Sequence, residues 1–390
     1  MNKKIGPSAL FRAFYKQKED CLFVSYGRLE ILGNHTDHNN GLCLVSTASM
    51  GIKAAIKKRD DKIISIKSDG YDCFSFALDD ISPLEKEKFT SIALTKGVVS
   101  KIKELGYKVG GFSAALTSDI FQGAGVSSSA CYEILIGAII NYLYNDNKIS
   151  RIELAKIGQY AENVYFGKPC GLLDQMGSAL GGITFLDFKD VEKPIVENMV
   201  WPEEWDLHIV LVNPGLSHAK LSHLYASIPL DMKAVASSYG KNVLRELDEN
   251  EVLPTLDEHK ELTLLQKNRA RHYFGENRRV LLAKEAIQNK DKETFLSLVK
   301  ETAKSCKELL KNTYVEGSFE YSPQEALDYA SNYIGRGAAR SMGGGFAGSI
   351  ICFVNGKDVE TFKAKMMEKY GKKSTVEVNI PPLGAHKIEK

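Results

Sequence analysis

The chain has 390 residues, 44% of them apolar and 26% charged, with 51 basic against 49 acidic residues for a formal charge of +2. That length carries two or three domains with full cores, and the composition is ordinary for a soluble globular protein. Charges interleaved at this balance leave no face to attract nucleic acid in bulk, and the longest nearly apolar run is too short for a membrane span. The start, MNKKIGPSALFRAFYKQKED, carries two lysines but no apolar stretch of a secretion signal, so a cytoplasmic location is expected. Seven scattered cysteines without a CxxC pair read as small apolar residues in a reducing compartment.

Residues 7–20 read as an amphipathic helix with Leu10, Phe11, Phe14 and Tyr15 on one stripe. Two strand-like runs follow, CLFVSY and LCLVST, separated by a polar loop from Gly27 to Gly41 that holds Arg28, Glu30, Asn34, His35, Asp37, His38 and Asn39. A turn uses Asn, Asp and Gly but has little need of Arg, Glu and two His, so this loop is a candidate site. Residues 51–79 alternate apolar and polar positions and predict successive antiparallel strands, with turns at 59–62 and 69–72. Helical periodicity runs from Thr90 to Leu105 and stops at Gly106, and GFSAALTSDIF predicts another strand.

That strand leads into Gly123, Ala124, Gly125, Val126, Ser127, Ser128, Ser129 and Ala130, and then into CYEILIGAIINYLY, a buried helix of about four turns. Small residues before a helix N-terminus suit phosphate: the backbone can approach closely, N–H groups point outward, and the positive end of the helix dipole faces the anion. Serine hydroxyls could bind phosphate oxygens or a magnesium ion, and a serine N-cap on a core helix is the alternative use of the same residues.

Ser150 to Phe166 predicts a helix with Ser150 as N-cap and Glu153 completing a capping box; Glu162 lies on it, at the surface or at a site. In PCGLLDQMG, Asp174 stands among uncharged residues, so its carboxylate needs a distant partner or serves chemistry. A domain boundary is expected near 203–205, dividing the chain into 1–205 and 206–390, with a strand from Leu207 to Val212 just after it. Residues 230–310 are mostly helical, with NRARHYFGENRRVLLAKEAI the best-marked helix. Next come RSMGGGFAGSIICFV, a glycine turn feeding a strand, a helix through Met366 and a final strand TVEVNI. There is no GxxxxGK[ST] pattern, and GAGVSSSA lacks the third glycine of a dinucleotide fingerprint.

Three separated segments, GRLEILGNHTDHNNG, GAGVSSSA and SMGGGFAGS, resemble in order and spacing the signature motifs of the small-molecule kinases named for galactokinase, homoserine kinase, mevalonate kinase and phosphomevalonate kinase. GR followed by GxHTD is similar to galactokinases within that superfamily, as are PCGLLDQ and RARHYFGENRR, so the resemblance covers nearly the whole chain. It implies an α+β, two-lobed GHMP-kinase-like fold. The N-terminal lobe would be ribosomal S5 domain 2-like, a mixed or antiparallel sheet with helices on one face, and the C-terminal lobe ferredoxin-like. It also implies ATP-dependent phosphorylation of the anomeric hydroxyl of galactose in the crevice between the lobes, by a monomer whose partners are sugar and ATP, not nucleic acid or membrane.

Carried over by residue, the resemblance makes Asp174 the catalytic carboxylate and Arg28 its partner. His35 and Asp37 would bind sugar hydroxyls, and Gly171 and Tyr225 would line the same site. Residues Gly123 to Ser129 would cradle the ATP phosphates, and Glu162 would ligate Mg2+ with a hydroxyl of Ser127, Ser128 or Ser129. One departure concerns the sugar: Asn34 stands where galactokinases usually have Glu, at a position that commonly meets the C6 hydroxyl. A kinase for galacturonate or N-acetylgalactosamine is therefore a related reading, and a non-catalytic galactose and ATP sensor is one from a different class. His38 replaces the family's aromatic residue, and Ser217 stands where a basic residue often precedes the family's His, here His218.

Overall fold

The computed structural model describes residues 5–121, 123–216 and 221–389. Helix α1 (Pro7–Tyr15) begins with proline, which needs no intrahelical N–H there, and stops short of Asp20 because Lys16 turns left-handed and donates back to Arg12 O. Strand β1 (Cys21–Leu32) runs straight through Gly27, Arg28 and Glu30, so the loop proper is only 33–41. Buried charges interrupt the alternation by which a strand is recognised. They are tolerated because each is paired across the fold, Arg28 with Asp174 and Glu30 with Arg340. Strand β2 (Leu42–Lys58) joins LCLVST to the start of the alternating run from residue 51, which were expected as separate strands. At its register shift against β1, a β-carbon on Gly51 would fall 2.0 Å from Ser25 O.

After β3 (Ile63–Ser68), β4 (Phe74–Ala77) and α2 (Ser91–Glu104), strand β5 (Phe112–Ser118) inserts between β2 and β3, antiparallel to the first and parallel to the second. The expected run of successive antiparallel neighbours therefore breaks at β3; alternation assigns faces, not partners. Next come α3 (Ser128–Asn145), α4 (Arg151–Tyr160), α5 (Leu173–Leu180), β6 (Ile183–Asp187) and β7 (Ile195–Met199). Strand β8 (Leu207–Val212) has the bounds read from the sequence. Helices α6 (Ser222–Ser238), α7 (Glu249–Thr255), α8 (Leu264–Gln288), α9 (Lys292–Ser305) and α10 (Pro323–Ala330) precede β9 (Ala338–Ser341) and β10 (Ile350–Asn355). Helix α11 (Gly356–Tyr370), β11 (Thr375–Val378) and β12 (His386–Ile388) follow.

The first sheet has the order β12-β1-β2-β5-β3-β4, with β6 on β2 and β7 on β6; the second is β11-β8-β10-β9, antiparallel throughout. The last strand thus returns to the first sheet. Ala54, Ile56 and Ala114 pack with Val98, Leu135 and Ile139 of the helices on one face, whereas Ala55 and Ala115 on the other meet Leu10 and Phe11 of α1. Helices lie on both faces, not one. Leu29, Ile31, Leu42 and Leu44 join Ile209, Leu211 and Phe353 of the second sheet in a shared core, each such side chain contributing roughly 1.5–3 kcal/mol by burial. With Leu29 and Ile31 turned into that core, Arg28 and Glu30 face the opposite way, toward the cleft. Among the described residues no helix is long and apolar enough to cross a membrane.

Candidate active site

A cleft of about 1920 Å³ is lined by all three motif segments: Arg28 and Glu30 of β1, His35 and Asp37, the loop from Gly123 to Ser129, and the turn containing Met342, Gly343, Gly344 and Ser349. Gly123, Gly125 and Ser127 have φ of 78°, 75° and 55°, three left-handed residues within five, which fold the loop across the N-terminus of α3. Its carbonyls are taken up by the scaffold. Val126 O accepts from Arg28 N at 2.9 Å, Gly125 O from the Arg28 guanidinium, and Gly123 O from Ser349 Oγ at 2.8 Å. The first N–H groups of α3 have no intrahelical acceptor and suit an anion.

Ser127 makes no side-chain N-cap bond. Its hydroxyl instead donates to Asp174 Oδ2 at 2.8 Å, a bond that helps hold a non-glycine residue in a backbone region costing about 1–3 kcal/mol. Asp174 lies in the first turn of α5, where the helix dipole favours a carboxylate, and its Oδ1 accepts from Arg28 Nε at 2.7 Å. The distant partner that the sequence demanded is therefore Arg28. Burial pushes the Asp174 carboxyl up, but the charges of Arg28 and Lys168 with the Ser127 hydroxyl outweigh it and hold the group below the usual range.

Glu162 is fully buried, on a π-helical turn, Ala161–Phe166, that continues α4. Ser150 caps α4 through Glu153 N, but the Glu153 carboxylate goes to Tyr107 OH at 2.7 Å, so only half of the expected box forms. Glu162 Oε1 accepts from Ser129 Oγ at 2.9 Å and Lys168 Nζ at 3.0 Å, and Oε2 from Gln175 Nε2 at 2.7 Å. A hydroxyl beside a carboxylate is a hard-oxygen pair suited to Mg2+, and a cation, the Lys168 ammonium, already rests on it. Among the described residues no group of three or more acidic, His or Cys ligands gathers. A metal that keeps phosphates and waters needs only one or two protein ligands, so Glu162 and Ser129 fit.

At the end of the cleft formed by the first motif, Asp37 accepts from Leu173 N at 3.4 Å with Gly171 directly against its carboxylate. Burial, then the charges of Asp174 and Glu30, push the Asp37 carboxyl up to about 7. His35 Nε2 donates to Gly344 O at 3.0 Å, so its Nδ1 accepts from His38 Nε2 at 3.2 Å, and His38 Nδ1 in turn accepts from Asn39 Nδ2 at 3.0 Å. Burial lowers both imidazoles, which keeps this relay neutral and leaves neither His35 nitrogen for a sugar hydroxyl in this arrangement. Tyr225 of α6 lines the cleft beside Gly344 and donates to Gly345 O at 3.2 Å.

Asn34 differs from its expected place. It is fully buried beneath the cleft, with Nδ2 donating to Glu30 Oε1 at 2.7 Å and Gly343 O at 2.6 Å, and Oδ1 accepting from Asn312 Nδ2 at 3.0 Å. Its amide ties the first motif to the third, and Asn34 is not among the residues that line the cleft. Ser217 and His218 lie outside the described residues. Two participants escaped the sequence reading, Lys168 and Gln175; Glu30 stood in the candidate loop but was given no role. Lys168 carried a signal, as the one basic residue just before PCG and Asp174.

The profile of the GHMP kinases N terminal domain matches residues 93–182, and that of the galactokinase galactose-binding signature matches residues 9–58. Galactokinase of Glaesserella parasuis serovar 5 is 31% identical over 354 residues, covering 90% of this chain and 89% of that protein. Galactokinase of Clostridium tetani is 30% identical over 361 residues, covering 90% and 88%. Lactococcus lactis galactokinase complexed with galactose has the same fold, with a TM-score of 0.82 at 24% identity over 98% of both chains. The mevalonate kinase of L. major superposes with a TM-score of 0.62 at 14% identity, over 92% of this chain and 95% of that one. By sequence and by fold, the chain belongs to the galactokinase family of the GHMP kinases.

Proposed function

We infer that this enzyme transfers the γ-phosphoryl group of ATP to the anomeric hydroxyl of galactose, giving galactose 1-phosphate and ADP. The observation that carries the reading is Asp174, held by Arg28 Nε and Ser127 Oγ at the meeting of the phosphate loop and the sugar loop. Kinship with galactokinases supports galactose as the acceptor.

An Asp174 carboxylate kept ionised by Arg28 is a weak base and a good acceptor. It orients the anomeric hydroxyl in line with the phosphorus and takes its proton late, as a loose transition state requires. The N-terminus of α3 and the backbone from Gly123 to Ser129 stabilise charge on the phosphates. Mg2+, when bound, neutralises phosphate charge, and Glu162 with the Ser129 hydroxyl would hold it. Asp37 accepts sugar hydroxyls, with Gly171 and Tyr225 as neighbouring walls. We place the protein in the cytoplasm as a monomer, with lobes 1–205 and 206–390, the last strand β12 crossing back to pair with β1 of the first lobe. A complete carboxylate, arginine and phosphate-loop set argues against a non-catalytic sensor.

Incubation with ATP, Mg2+ and galactose should give galactose 1-phosphate, read by phosphorus NMR. Asp174→Asn should lower kcat by about 10²–10⁴-fold while galactose still binds in calorimetry. Absence of any sugar phosphate from galactose would reject the assignment.

A further inference from the structure

We propose that Glu30 is a specificity-determining carboxylate, accepting a hydrogen bond from the galactose hydroxyl on C4 or C6, at the end of the ring opposite the reacting oxygen. The proposal rests on galactose being the substrate. The Glu30 side chain is 6% exposed, yet it lines the cleft. Its Oε1 is spent, accepting from Asn34 Nδ2 and from the Arg340 guanidinium, each at 2.7 Å. Oε2 receives no hydrogen bond from any described residue and is not sealed from the cleft. A carboxylate so nearly buried normally fills both oxygens, so the empty one points to a ligand donor.

Two features fix what that donor is. Arg28 and Glu30 lie two residues apart on the same face of β1, roughly 6–7 Å along the strand, which is about the length of a pyranose ring with its hydroxyls. With Arg28 anchoring Asp174 at the anomeric oxygen, Glu30 falls at the C4 and C6 end. The Arg340 fork and the Asn34 amide lock one oxygen and thereby preset the direction of the other, so little ordering is left for the sugar to impose. Position 34, whose amide suggested tolerance of a uronic acid, serves instead to hold this carboxylate. Oε2 offers only lone pairs, and the C6 carboxylate of galacturonate has no proton to give them, so galacturonate is disfavoured.

The test compares kcat/KM for galactose, 4-deoxygalactose, 6-deoxygalactose and galacturonate in the wild type and in Glu30→Gln. In the wild type, removing the hydroxyl that Glu30 reads should cost roughly 10- to 100-fold. Glu30→Gln should lose a similar factor with galactose and almost nothing further with that deoxy sugar, while galacturonate gains relative to galactose. A merely structural loss would lower all four sugars alike, and unchanged ratios to both deoxy sugars overturn the proposal. Because Gln at 30 leaves Arg340 without its counter-charge, Glu30→Asp, which keeps the charge and withdraws the oxygen by one methylene, gives the same ratio test if the first variant does not fold. A wild type that neither binds nor phosphorylates galactose would sink the assigned activity itself, and with it this role for Glu30.

Discussion

Gly171 and Asp37 approach so closely that a β-carbon on Gly171 would lie 1.8 Å from Asp37 Oδ2. No real side chain fits there without driving the carboxylate from its place on Leu173 N. Gly171→Ala should therefore act through Asp37. Loss of one hydrogen bond to a charged group, about 1.5–3 kcal/mol, predicts roughly a 10- to 150-fold rise in the galactose dissociation constant. ATP affinity should stay within about twofold, since the phosphate loop lies elsewhere in the cleft. Calorimetry with each ligand separates the two, and an unchanged galactose affinity would refute the role given to this contact.

Asp37 also sets a pH dependence. Burial and the neighbouring carboxylates raise it to about 7, and only the ionised form accepts two sugar hydroxyls. As pH rises through 7, kcat/KM for galactose, which reports the free enzyme, should climb. The sign for stability is opposite. Between the ordinary carboxylate range and about 7, the native protein holds a proton that the unfolded chain has released, so ligand-free stability should fall as pH rises across that window. Asp37→Asn should flatten both profiles. Parallel pH series of kcat/KM and of the urea midpoint check this, and a wild-type profile level from pH 6 to 8 would contradict it.

Features with a local cause were legible in the sequence. Strand β8, the glycine-serine loop and the extent of α2 before Gly106 follow from residue order alone. The pairing of Arg28 with Asp174 was legible as a need, and the family resemblance named the partner. What stayed hidden depends on neighbours brought from far along the chain. Glu30 sat in a strand misread as a loop because its counter-charge, Arg340, is more than three hundred residues away. Asn34 had the chemistry of a specificity group, and only burial reveals that it is a structural tie. The π-helical turn that presents Glu162 has no period-based signature, and the order of β5 between β2 and β3 is a matter of topology.

The serines divide between two carboxylates, Ser127 on Asp174 and Ser129 on Glu162, with Lys168 on the latter as well. Ser129→Ala should weaken activation by Mg2+ by about tenfold or less and leave galactose affinity alone. Lys168→Met removes a cation that competes for Glu162, so Mn2+ should bind the nucleotide-free protein more tightly than it binds the wild type. Electron paramagnetic titration of Mn2+ reads this without turnover. Equal Mn2+ affinity in wild type and Lys168→Met would remove Lys168 from the metal's position.

Arg340 is completely buried and bridges the two sheets. From β9 its guanidinium donates to Ile31 O at 3.0 Å, to Ser341 O at 2.6 Å, and to both the backbone oxygen and the carboxylate of Glu30. Arg340→Met replaces the fork with an apolar chain of comparable length, leaves the Glu30 carboxylate without its counter-charge and takes the guanidinium donors from the Glu30 and Ile31 carbonyls. Breaking one side of such a buried pair costs about 3–5 kcal/mol, and urea unfolding should register a loss of that size. Arg340→Lys keeps the charge but can satisfy only part of the planar array, so its loss should fall between the two. Because the same fork aims Glu30, both variants should also lower galactose affinity, Met more than Lys. A Met variant as stable as the wild type would mean that the apolar core around Leu29 and Ile351, rather than this ionic clamp, holds the sheets together.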